Sequence, residues 1–381
     1  MALPRAATPR QRARPGARPR AGRPRPSERL THIDPYLEKL DHEEVLVRRG
    51  RRSGLYTFVA VHSTVRGPSL GGCRMWSYED SASALRDVLR LSRAMTYKMA
   101  VADLPLGGGK GVIMLSPHTK LSSERRQHAL LDFADTVAAL GGRYITAEDV
   151  GTSSRDMSVI AERTKYVAGL ARSRGGSGDP SPLTALGVEY AIRACCERTF
   201  GDDSLRGRTV GVIGLGHVGS RVAKRCARAG AKLVLADVDL DKRRLAEELE
   251  AKWMSPEEAL EAKVEIVAPC ALGGVLNEET VPRLRCRIIA GAANNQLSDD
   301  LIADLLTARE ILWAPDFVAN AGGVINIAEE FGTYDAAAAR RRVRGIADTL
   351  RRIFEDAQSM GATTLTAAME LARRRLVPAS R

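Results

Sequence analysis

The sequence predicts an α/β protein of two domains separated by a cleft, an N-terminal α/β domain followed by a Rossmann-type domain. Three observations support this prediction. The chain has 381 residues, which is too long for one ordinary hydrophobic core. Apolar strand-like runs alternate with helix-like segments through the second half, as in a parallel doubly wound sheet. A glycine-rich turn of the form G-x-G-x-x-G follows one of those runs directly.

The alternation in the second half begins after a helix predicted at about residues 183–200. The apolar runs that follow read TVGVIG, KLVLAD, VEIVAP and RIIAGAA. Helix-like segments separate the first three runs, and parallel strands need such crossover connections. From about residue 335 the chain is rich in alanine and arginine, and we expect it to be mostly helical.

The first half is predicted to mix strands and helices. Its predicted elements are a strand at 54–63, a helix at 80–99 capped by Asp80 or Ser81, a strand at 111–115, a helix at 123–140, and a strand that runs into a loop at 143–150. Three consecutive glycines at residues 107–109 are interpreted as a loop that ends just before Lys110.

Composition divides the chain into four segments. The clearest break is SRGGSGDPSP at residues 173–182, because glycine and proline at this density indicate an irregular link. The predicted segments are a disordered tail at 1–28, a first domain at 29–178, a Rossmann domain at 179–334, and C-terminal helices at 335–381 that pack back across the domains.

The net charge of +12 at first suggests nucleic-acid binding. Residues 1–27 hold eight arginines and no acidic residue, so they account for eight of the twelve net charges. This segment is also rich in proline and poor in apolar residues, which predicts a disordered tail. The globular remainder therefore carries only an ordinary excess of positive charge, and a nucleic-acid partner is not expected.

Other compositional features exclude further classes. No apolar stretch approaches the roughly 18 residues that span a bilayer, so neither a membrane anchor nor a secretory signal is expected. The six cysteines show no C-x-x-C spacing. We expect them to be buried free thiols of a cytoplasmic protein, and nothing in the pattern signals a metal site.

The glycine turn predicts a dinucleotide site. It comprises Gly214, Leu215, Gly216, His217, Val218 and Gly219. Glycines permit a tight turn and close approach of the backbone to a pyrophosphate, which the following helix N-terminus attracts. Asp237 ends the next predicted strand, where its carboxylate can accept hydrogen bonds from both ribose hydroxyls and repel an extra phosphate. The pattern therefore favours NAD over NADP, and a glycine turn with a capping aspartate is the alternative.

Candidate catalytic residues lie in the first half. Lys110 follows three glycines, so bare backbone allows a ligand to approach it. If its ammonium is shielded from water, its pKa falls and the neutral amine can act as a base. Asp149 lies in a loop after a predicted strand, and Lys98 closes the helix that ends in MTYK. Solvated lysines and a helix-capping aspartate are the ordinary alternatives, which these residues alone leave open.

Segments along most of the chain together resemble one enzyme family. They read SLGGCRMWSYED, DVLRLSRAMTYK, LPLGGGKGVI, RYITAEDVGTS, GDPSPLTALGV, APCALGGVLN, IAGAANNQL and APDFVANAGGVIN. In this order they resemble the leucine/phenylalanine/valine branch of the amino-acid dehydrogenases related to glutamate dehydrogenase, with a pattern nearest to the leucine enzymes. The resemblance covers roughly residues 35–375.

The resemblance implies roles for residues on both sides of the cleft. It implies that Lys110 is the catalytic lysine, that Asp149 exchanges protons with the substrate amine, and that Lys98 binds the substrate α-carboxylate. Gly71 and Gly72 would line the substrate site through their backbone. The implied nicotinamide contacts are Thr184 with the carboxamide, Asn295 between nicotinamide and substrate, and Asn320, which helps to place the ring.

The implied reaction is NAD-dependent oxidative deamination of an apolar L-amino acid. Asp149 takes a proton from the amine, hydride leaves the substrate Cα for the nicotinamide, and Lys110 activates the water that attacks the resulting iminium. The products are ammonia, a 2-oxo acid and NADH. The two lysines also offset the carboxylate charge, and their proximity would lower the pKa of one of them.

The pocket wall predicts the substrate. Glutamate-specific relatives carry a lysine where this chain has Leu70, and an apolar group cannot pair a side-chain carboxylate. Ala147 stands where leucine enzymes tend to carry alanine and phenylalanine enzymes glycine. Val324 and Ile327 would complete an aliphatic wall. We therefore expect leucine, valine and isoleucine to be preferred over phenylalanine, with overlapping activities.

Alternatives remain open from the sequence. A phenylalanine dehydrogenase is the alternative within the family, and a non-catalytic NAD-binding regulatory protein is the alternative from another class. Nucleic-acid binding by the tail is a third. The resemblance also implies a homo-oligomer, commonly a dimer or an octamer, whose partners are otherwise the small-molecule substrates and products.

Overall fold

Two β-sheets organise the chain. The computed structural model describes residues 40–117, 119–332 and 334–377, and those from His42 onward form one compact unit. The tail predicted at residues 1–28 lies outside the described residues. The first sheet has five strands and the second has six. The α/β class with two sheets therefore agrees with the prediction.

The strands fall into the two sheets in chain order. Those of the first sheet are β1 (Glu44–Arg49), β2 (Tyr56–Ser63), β3 (Ser69–Ser77), β4 (Gly107–Leu115) and β5 (Tyr144–Glu148). Those of the second sheet are β6 (Thr209–Ile213), β7 (Lys232–Ala236), β8 (Lys252–Trp253), β9 (Ile266–Pro269), β10 (Ile288–Ile289) and β11 (Leu312–Trp313).

The helices flank and connect these strands. They are α1 (Ser81–Val101), α2 (Ser123–Ala139), α3 (Ser154–Ile160), α4 (Ser181–Phe200), α5 (Gly219–Arg228), α6 (Arg243–Glu248), α7 (Pro256–Leu260), α8 (Ile302–Ala308), α9 (Asp316–Ala319), α10 (Gly322–Ala328), α11 (Ala336–Arg344), α12 (Ile346–Met360) and α13 (Thr364–Leu376). Short 3₁₀ turns lie at Arg172–Arg174, Leu240–Lys242, Val281–Arg283 and Glu329–Phe331.

The first sheet is mixed, with the order β1-β2-β4-β3-β5. Strand β3 pairs in parallel with β4 and β5, whereas β2 pairs antiparallel with β1 and β4. Side chains alternate between the two faces of a strand. Cys73 and Met75 share an apolar cluster with Phe133 of α2, and Leu70 belongs to the cluster that contains Met99 of α1. One face of the sheet therefore packs on α2 and the other on α1.

The loop predicted at residues 107–109 is wrong, because these glycines belong to β4. Their neighbours explain why side chains are absent. A Cβ on Gly107 would lie 1.9 Å from the carbonyl oxygen of Ser63, and one on Gly108 would lie 2.1 Å from the backbone nitrogen of Thr96. Three glycines in sequence here mark close packing of β2 and α1 against a buried strand.

Helix boundaries follow local capping rules. Asp80 caps α1 by accepting a hydrogen bond from the Ser83 backbone N–H at 2.6 Å, as one of the two predicted caps would. Helix α4 begins two residues before its predicted start and ends at Phe200, and its C-cap Gly201 adopts a left-handed conformation with φ of 85°. Capping therefore fixes the ends of the two helices that flank the site.

The second sheet is entirely parallel, with the order β11-β10-β9-β6-β7-β8. The doubly wound prediction is confirmed. The strand order reverses between β6 and β9, and ligands of such sheets bind at the carboxyl ends of the strands beside this reversal. Apolar clusters cover both faces, as a parallel sheet requires.

The C-terminal helices contact both halves of the compact unit. Helix α12 packs on α4, and α13 packs on α1. The Arg375 guanidinium donates hydrogen bonds to the carbonyl oxygens of Ala100 and Val101, at 3.1 and 2.6 Å. These carbonyls close the last turn of α1, so a C-terminal arginine satisfies acceptors that the helix itself leaves unpaired.

Two further sequence expectations can be compared with the described residues. Within them, no helix combines the length and apolarity needed to cross a membrane. All six cysteines are free thiols, and five of them are buried. Burial raises the pKa of the Cys73 and Cys195 thiols well above the ordinary value, so these two are poor nucleophiles.

Candidate active site

A buried lysine and a carboxylate meet at the centre of the first sheet. Lys110 lies in the middle of β4 with only 5% of its surface exposed, and Asp149 directly follows β5. The Lys110 Nζ lies 3.0 Å from Asp149 Oδ2. Strand alternation puts both side chains on the sheet face that packs on α1. Two residues 39 positions apart thus form one ion pair, in which the lysine is buried and the aspartate is partly exposed.

A third charged residue, Arg74, also contacts Asp149. Its Nε donates a hydrogen bond to Asp149 Oδ2 at 2.9 Å, and its Nη1 donates one to Asp87 Oδ2 at 2.9 Å. Burial alone would raise the pKa of Asp149, but the cations of Lys110 and Arg74 outweigh it and hold that pKa below the ordinary value. Asp149 is therefore kept ionised.

Sequence reasoning missed Arg74, although its motif carried the family resemblance. The usable signal is strand parity. Leu70, Gly72 and Arg74 lie at every second position of β3 and therefore on the same face of the sheet. Because Gly72 is a predicted site residue, Arg74 is expected on the site face as well. The strand itself was not predicted, so this parity could not be applied.

The glycine pair before Arg74 lets three strands come close together. A Cβ on Gly71 would lie 1.7 Å from the carbonyl oxygen of Gly109. A Cβ on Gly72 would lie 2.5 Å from the Glu148 carbonyl oxygen and 2.7 Å from Asp149 Cβ. The structure thus brings Gly71 and Gly72 against the backbone that carries Lys110 and Asp149.

A second lysine approaches from α1. Lys98 is half-buried in the last turn of that helix. Burial, which is the largest cause, and Lys110 together lower its pKa to about 8, against the opposing effect of Asp316 and Asp149. The expectation that two neighbouring lysines would depress one of their pKa values agrees with this direction for Lys98.

Lys98 also connects the two halves of the site. Its Nζ donates a hydrogen bond to Asn294 Oδ1 at 3.1 Å. The Asn320 amide donates to the same oxygen at 2.9 Å. The sequence prediction puts Asn295 between nicotinamide and substrate, and the residue that contacts Lys98 is its neighbour Asn294. Asn295 instead has a left-handed backbone, with φ of 52°, and its carbonyl oxygen accepts from the Gly274 N–H.

The nicotinamide candidates lie beside this bridge. Asn320 is 6% exposed, and its Oδ1 has no hydrogen-bond partner among the described residues. Thr184 lies in the first turn of α4. A Cβ on Gly323 would lie 2.8 Å from Thr184 Oγ1, so the missing side chain lets α10 approach that turn. A buried, unsatisfied acceptor is costly unless a ligand amide pairs with it.

The predicted pocket wall lies in a single apolar cluster. Leu70, Ala147 and Ile327 are buried members of this cluster, and Val324 is half-buried against the cluster. Leu70 pairs with Ile145 in the register of β3 and β5, and Gly72 pairs with Ala147. Leu70 and Ala147 therefore share the face that carries Lys110.

The glycine turn connects β6 to α5 at the point where the strand order reverses. Gly214 has φ of 96°, and a Cβ on Gly219 would lie 1.8 Å from the Gly214 carbonyl oxygen. Gly216 faces open space, with nothing within 4 Å of a Cβ built on it. Asp237 follows β7, and its Oδ2 accepts the Leu215 N–H at 2.5 Å. The turn, the helix N-terminus and the acid occupy the positions expected for a dinucleotide site.

Basic side chains line the open cleft of about 630 Å³ beside this turn. They are Arg221, Lys224, Lys242 and Arg244. Sequence reasoning considered only the residues next to Asp237 and found no cation there. Three of the four have acidic neighbours: Arg221 lies 3.1 Å from Asp179, Lys224 lies 3.1 Å from Glu248, and Lys242 lies 3.9 Å from Asp239.

A dinucleotide-type turn in one half of the chain and a buried lysine paired with a carboxylate in the other half fit a dehydrogenase that uses a nicotinamide dinucleotide. Two family models match the chain. Residues 42–166 match the Glu/Leu/Phe/Val dehydrogenase dimerisation domain, and residues 235–381 match the Glutamate/Leucine/Phenylalanine/Valine dehydrogenase model. The chain belongs to this family of amino-acid dehydrogenases, which act on the CH–NH₂ group of their substrates.

Individual relatives cover almost the whole chain. Leucine dehydrogenase from Thermoactinomyces intermedius is 43% identical over 90% of this chain and 92% of its own length. Valine dehydrogenase from Streptomyces albus is 42% identical over 89% of this chain and 93% of its own. The crystal structure of L-tryptophan dehydrogenase from Nostoc punctiforme superposes with a TM-score of 0.78 at 38% identity, covering 90% of this chain and 98% of that one.

Proposed function

We propose that this protein catalyses the NAD-dependent oxidative deamination of branched-chain L-amino acids to 2-oxo acids and ammonia. The observation that carries the proposal is the Lys110–Asp149 pair, with 3.0 Å between Nζ and Oδ2 on a buried sheet face. Lys98 reaches the same region from α1 and supplies a further cation. Two cations around one carboxylate suit a substrate that carries both an amine and a carboxylate.

Lys98 is proposed to bind the substrate α-carboxylate. Its pKa of about 8 keeps it charged at neutral pH, and a bound carboxylate would favour that charged form further. The bond to Asn294 aims the ammonium between the two halves of the site. Lys98 would therefore fix one end of the amino acid, and the reacting Cα would lie beyond it, toward Lys110.

Asp149 and Lys110 are proposed to move the protons. The substrate ammonium must lose a proton before its Cα can give up hydride, and the ionised Asp149 can take that proton. Lys110 would act as the base in its neutral form, while the protonated Asp149, 3.0 Å away, would later return its proton to the leaving nitrogen. Lys110 would then deprotonate the water that adds to the iminium carbon, and collapse of the carbinolamine releases ammonia.

The residues around the glycine turn suit a dinucleotide. When bound, the oxidised nicotinamide supplies the hydride acceptor for this reaction. Thr184 and the unsatisfied Oδ1 of Asn320 would hold its carboxamide. The N-terminus of the ten-residue helix α5 would hold the pyrophosphate.

Asp237 would select NAD. A carboxylate there would accept hydrogen bonds from ribose hydroxyls and repel the additional phosphate of NADP. The acidic neighbours of Arg221, Lys224 and Lys242 reduce the positive charge available to that phosphate. We expect kcat/KM to favour NAD over NADP by about 100-fold or more, because like-charge juxtaposition costs several kcal/mol.

An aliphatic substrate is proposed from the pocket wall. Leu70 lies 1% exposed on the catalytic face and offers no charge to a side-chain carboxylate, which argues against glutamate. The Ala147 methyl narrows the pocket beside it. Leucine and valine dehydrogenases among the relatives support the branched-chain class. The L-tryptophan dehydrogenase among the relatives favours an aromatic substrate as the second candidate, and phenylalanine belongs to that second class.

We propose that the protein is a cytoplasmic homo-oligomer. Strand β1 forms one edge of the first sheet, and among the described residues it pairs with β2 alone. An open edge strand is a common site of association with a second copy. The matching dimerisation-domain model covers this strand. Sedimentation of the purified protein would give the subunit number.

One assay tests the proposal as a whole. NADH formation is measured across a panel of L-amino acids that contains leucine, valine, isoleucine, phenylalanine, tryptophan and glutamate, with NAD and NADP in parallel. We expect the highest kcat/KM for a branched-chain substrate with NAD. A clear preference for phenylalanine or tryptophan would refute the substrate assignment, and no turnover with any amino acid would refute the reaction.

A further inference from the structure

We propose that Arg74 is a positioning residue that fixes which oxygen of Asp149 takes the substrate proton; this rests on the proposed function. The relevant geometry is a shared acceptor. Lys110 Nζ and Arg74 Nε lie 3.0 and 2.9 Å from the same oxygen, Asp149 Oδ2. Among the described residues, no hydrogen bond is donated to Oδ1 of that carboxylate. The two cations thereby leave Oδ1 free to accept a proton.

Arg74 is itself held in place from its far side. Its Nη1 donates to Asp87 Oδ2 at 2.9 Å. The Tyr78 hydroxyl donates to the same Asp87 oxygen at 2.7 Å, and Arg90 donates to the other oxygen at 3.0 Å. One guanidinium thus bridges two carboxylates with two separate N–H groups, which a lysine ammonium cannot match in rigidity. Arg74 therefore links Asp87 of α1 to Asp149 in the loop after β5 with a fixed geometry.

The charges around Asp149 favour this assignment. Lys110 faces it from β4, Arg74 from β3, and Lys98 acts on it from α1. The nearby Cys73 thiol and Tyr144 phenol stay neutral, because burial raises the pKa of each well above its ordinary value. Burial raises the pKa of Asp149, and without Arg74 only Lys110 would be left as the main cation that lowers it. The pKa of Asp149 would therefore rise when Arg74 is removed.

The test compares R74Q, R74K and R90Q with the wild-type protein. Arg90 is the matched control, because it contacts Asp87 but not Asp149. We expect R74Q to lower kcat/KM by about 10- to 100-fold, since a displaced catalytic group costs up to that much. The acidic limb of its pH profile should move to higher pH. R74K should return that limb toward the wild-type position while kcat stays low, and R90Q should leave the limb unmoved.

A second measurement does not require activity. The ¹³C signals of aspartate carboxyl carbons are titrated in the labelled protein, and D149N identifies the Asp149 signal. We expect this signal to titrate at higher pH in R74Q than in the wild type or R90Q. An unmoved signal, or an R74Q pH profile equal to that of R90Q, would overturn the proposal. If the wild type oxidises no amino acid, the proposed function fails, whereas the carboxyl titration still decides the role of Arg74. If R74Q does not fold, R74K still tests the positioning role, and a kcat for R74K equal to that of R90Q would overturn the proposal.

Discussion

The Lys98 ammonium donates a hydrogen bond to Asn294 Oδ1 at 3.1 Å, which joins helix α1 of the first half to the loop after β10 of the second. The Asn320 amide donates to the same oxygen. The residue proposed to bind the substrate carboxylate and the residue proposed to hold the nicotinamide therefore share one acceptor. A structural change in either half of the site can therefore affect the other half through Asn294.

The first prediction concerns pH. Burial and Lys110 lower the pKa of Lys98 to about 8, and only its charged form pairs with a carboxylate. The KM for the amino acid should therefore be lowest below pH 8 and rise as the pH passes through that value, while the KM for NAD stays nearly constant. The measurement is KM for both substrates from pH 6.5 to 10.

The variant K98M removes the charge and keeps the length of the side chain. Its KM for the amino acid should rise by about 10- to 100-fold and lose this pH dependence, because a charge-assisted hydrogen bond contributes ~1.5–3 kcal/mol. A pH-dependent rise in KM that survives in K98M would assign the effect to a different group.

The second prediction separates two neighbouring asparagines. Asn294 contacts Lys98 and Asn320, whereas the Asn295 backbone is left-handed. N294A should lower kcat/KM by about tenfold, in line with the loss of hydrogen bonds worth ~1–1.5 kcal/mol. N295G is the matched control, since glycine accepts the left-handed conformation. Steady-state kinetics of both variants are measured. A larger loss of kcat/KM in N295G than in N294A would favour Asn295, the residue named from the sequence.

Sequence reasoning located elements whose signals are local. Apolar, β-branched composition placed β2, helical patterns placed α1 and α2 within a few residues, and the parallel second sheet followed from its alternation. The two-residue strands β8, β10 and β11 exist because neighbouring strands supply their hydrogen-bond partners. Strand β3 was not predicted, because adjacent glycines normally disfavour strands and only the close packing of β4 and β5 explains them here.

Site residues that belong to recognisable motifs could be predicted from the sequence. Residues whose role depends on the three-dimensional arrangement could not. Lys110, Asp149 and Lys98 were named from the sequence, and the structure brings the three into one region. Arg74 and Asn294 were missed. The first needs strand parity, and the second differs from its neighbour only in backbone conformation, which one sequence does not reveal.

The third prediction concerns a glycine that leaves room for Asp149. A Cβ on Gly72 would lie 2.5 Å from the Glu148 carbonyl oxygen and 2.7 Å from Asp149 Cβ. G72A should displace the carboxylate and lower kcat/KM by about 100-fold, as a misplacement near 1 Å can do. G332A is the control, because Gly332 has φ of −132° and open space around it. Thermal unfolding and kinetics should be measured together. Full activity in a folded G72A would show that this contact does not position Asp149.

The fourth prediction concerns substrate size. Ala147 pairs with Gly72 across β3 and β5 and lies on the catalytic face. A147G should enlarge the pocket and raise the ratio of kcat/KM for phenylalanine to that for leucine by about tenfold or more, because one methyl group in a pocket is worth ~1–3 kcal/mol. The two substrates are assayed with wild type and variant under the same conditions. An unchanged ratio would place the substrate side chain away from Ala147.

The central claim is that Lys110 carries the chemistry, and K110A tests it most directly. NADH formation is measured at saturating NAD and branched-chain amino acid, and NAD binding is measured by calorimetry on the same samples. K120A, which alters an exposed lysine ten residues away, is the control. The account predicts that K110A loses about 10²- to 10⁴-fold in kcat, while its NAD affinity and the activity of K120A stay near the wild-type values. Turnover by K110A at the wild-type rate would contradict it.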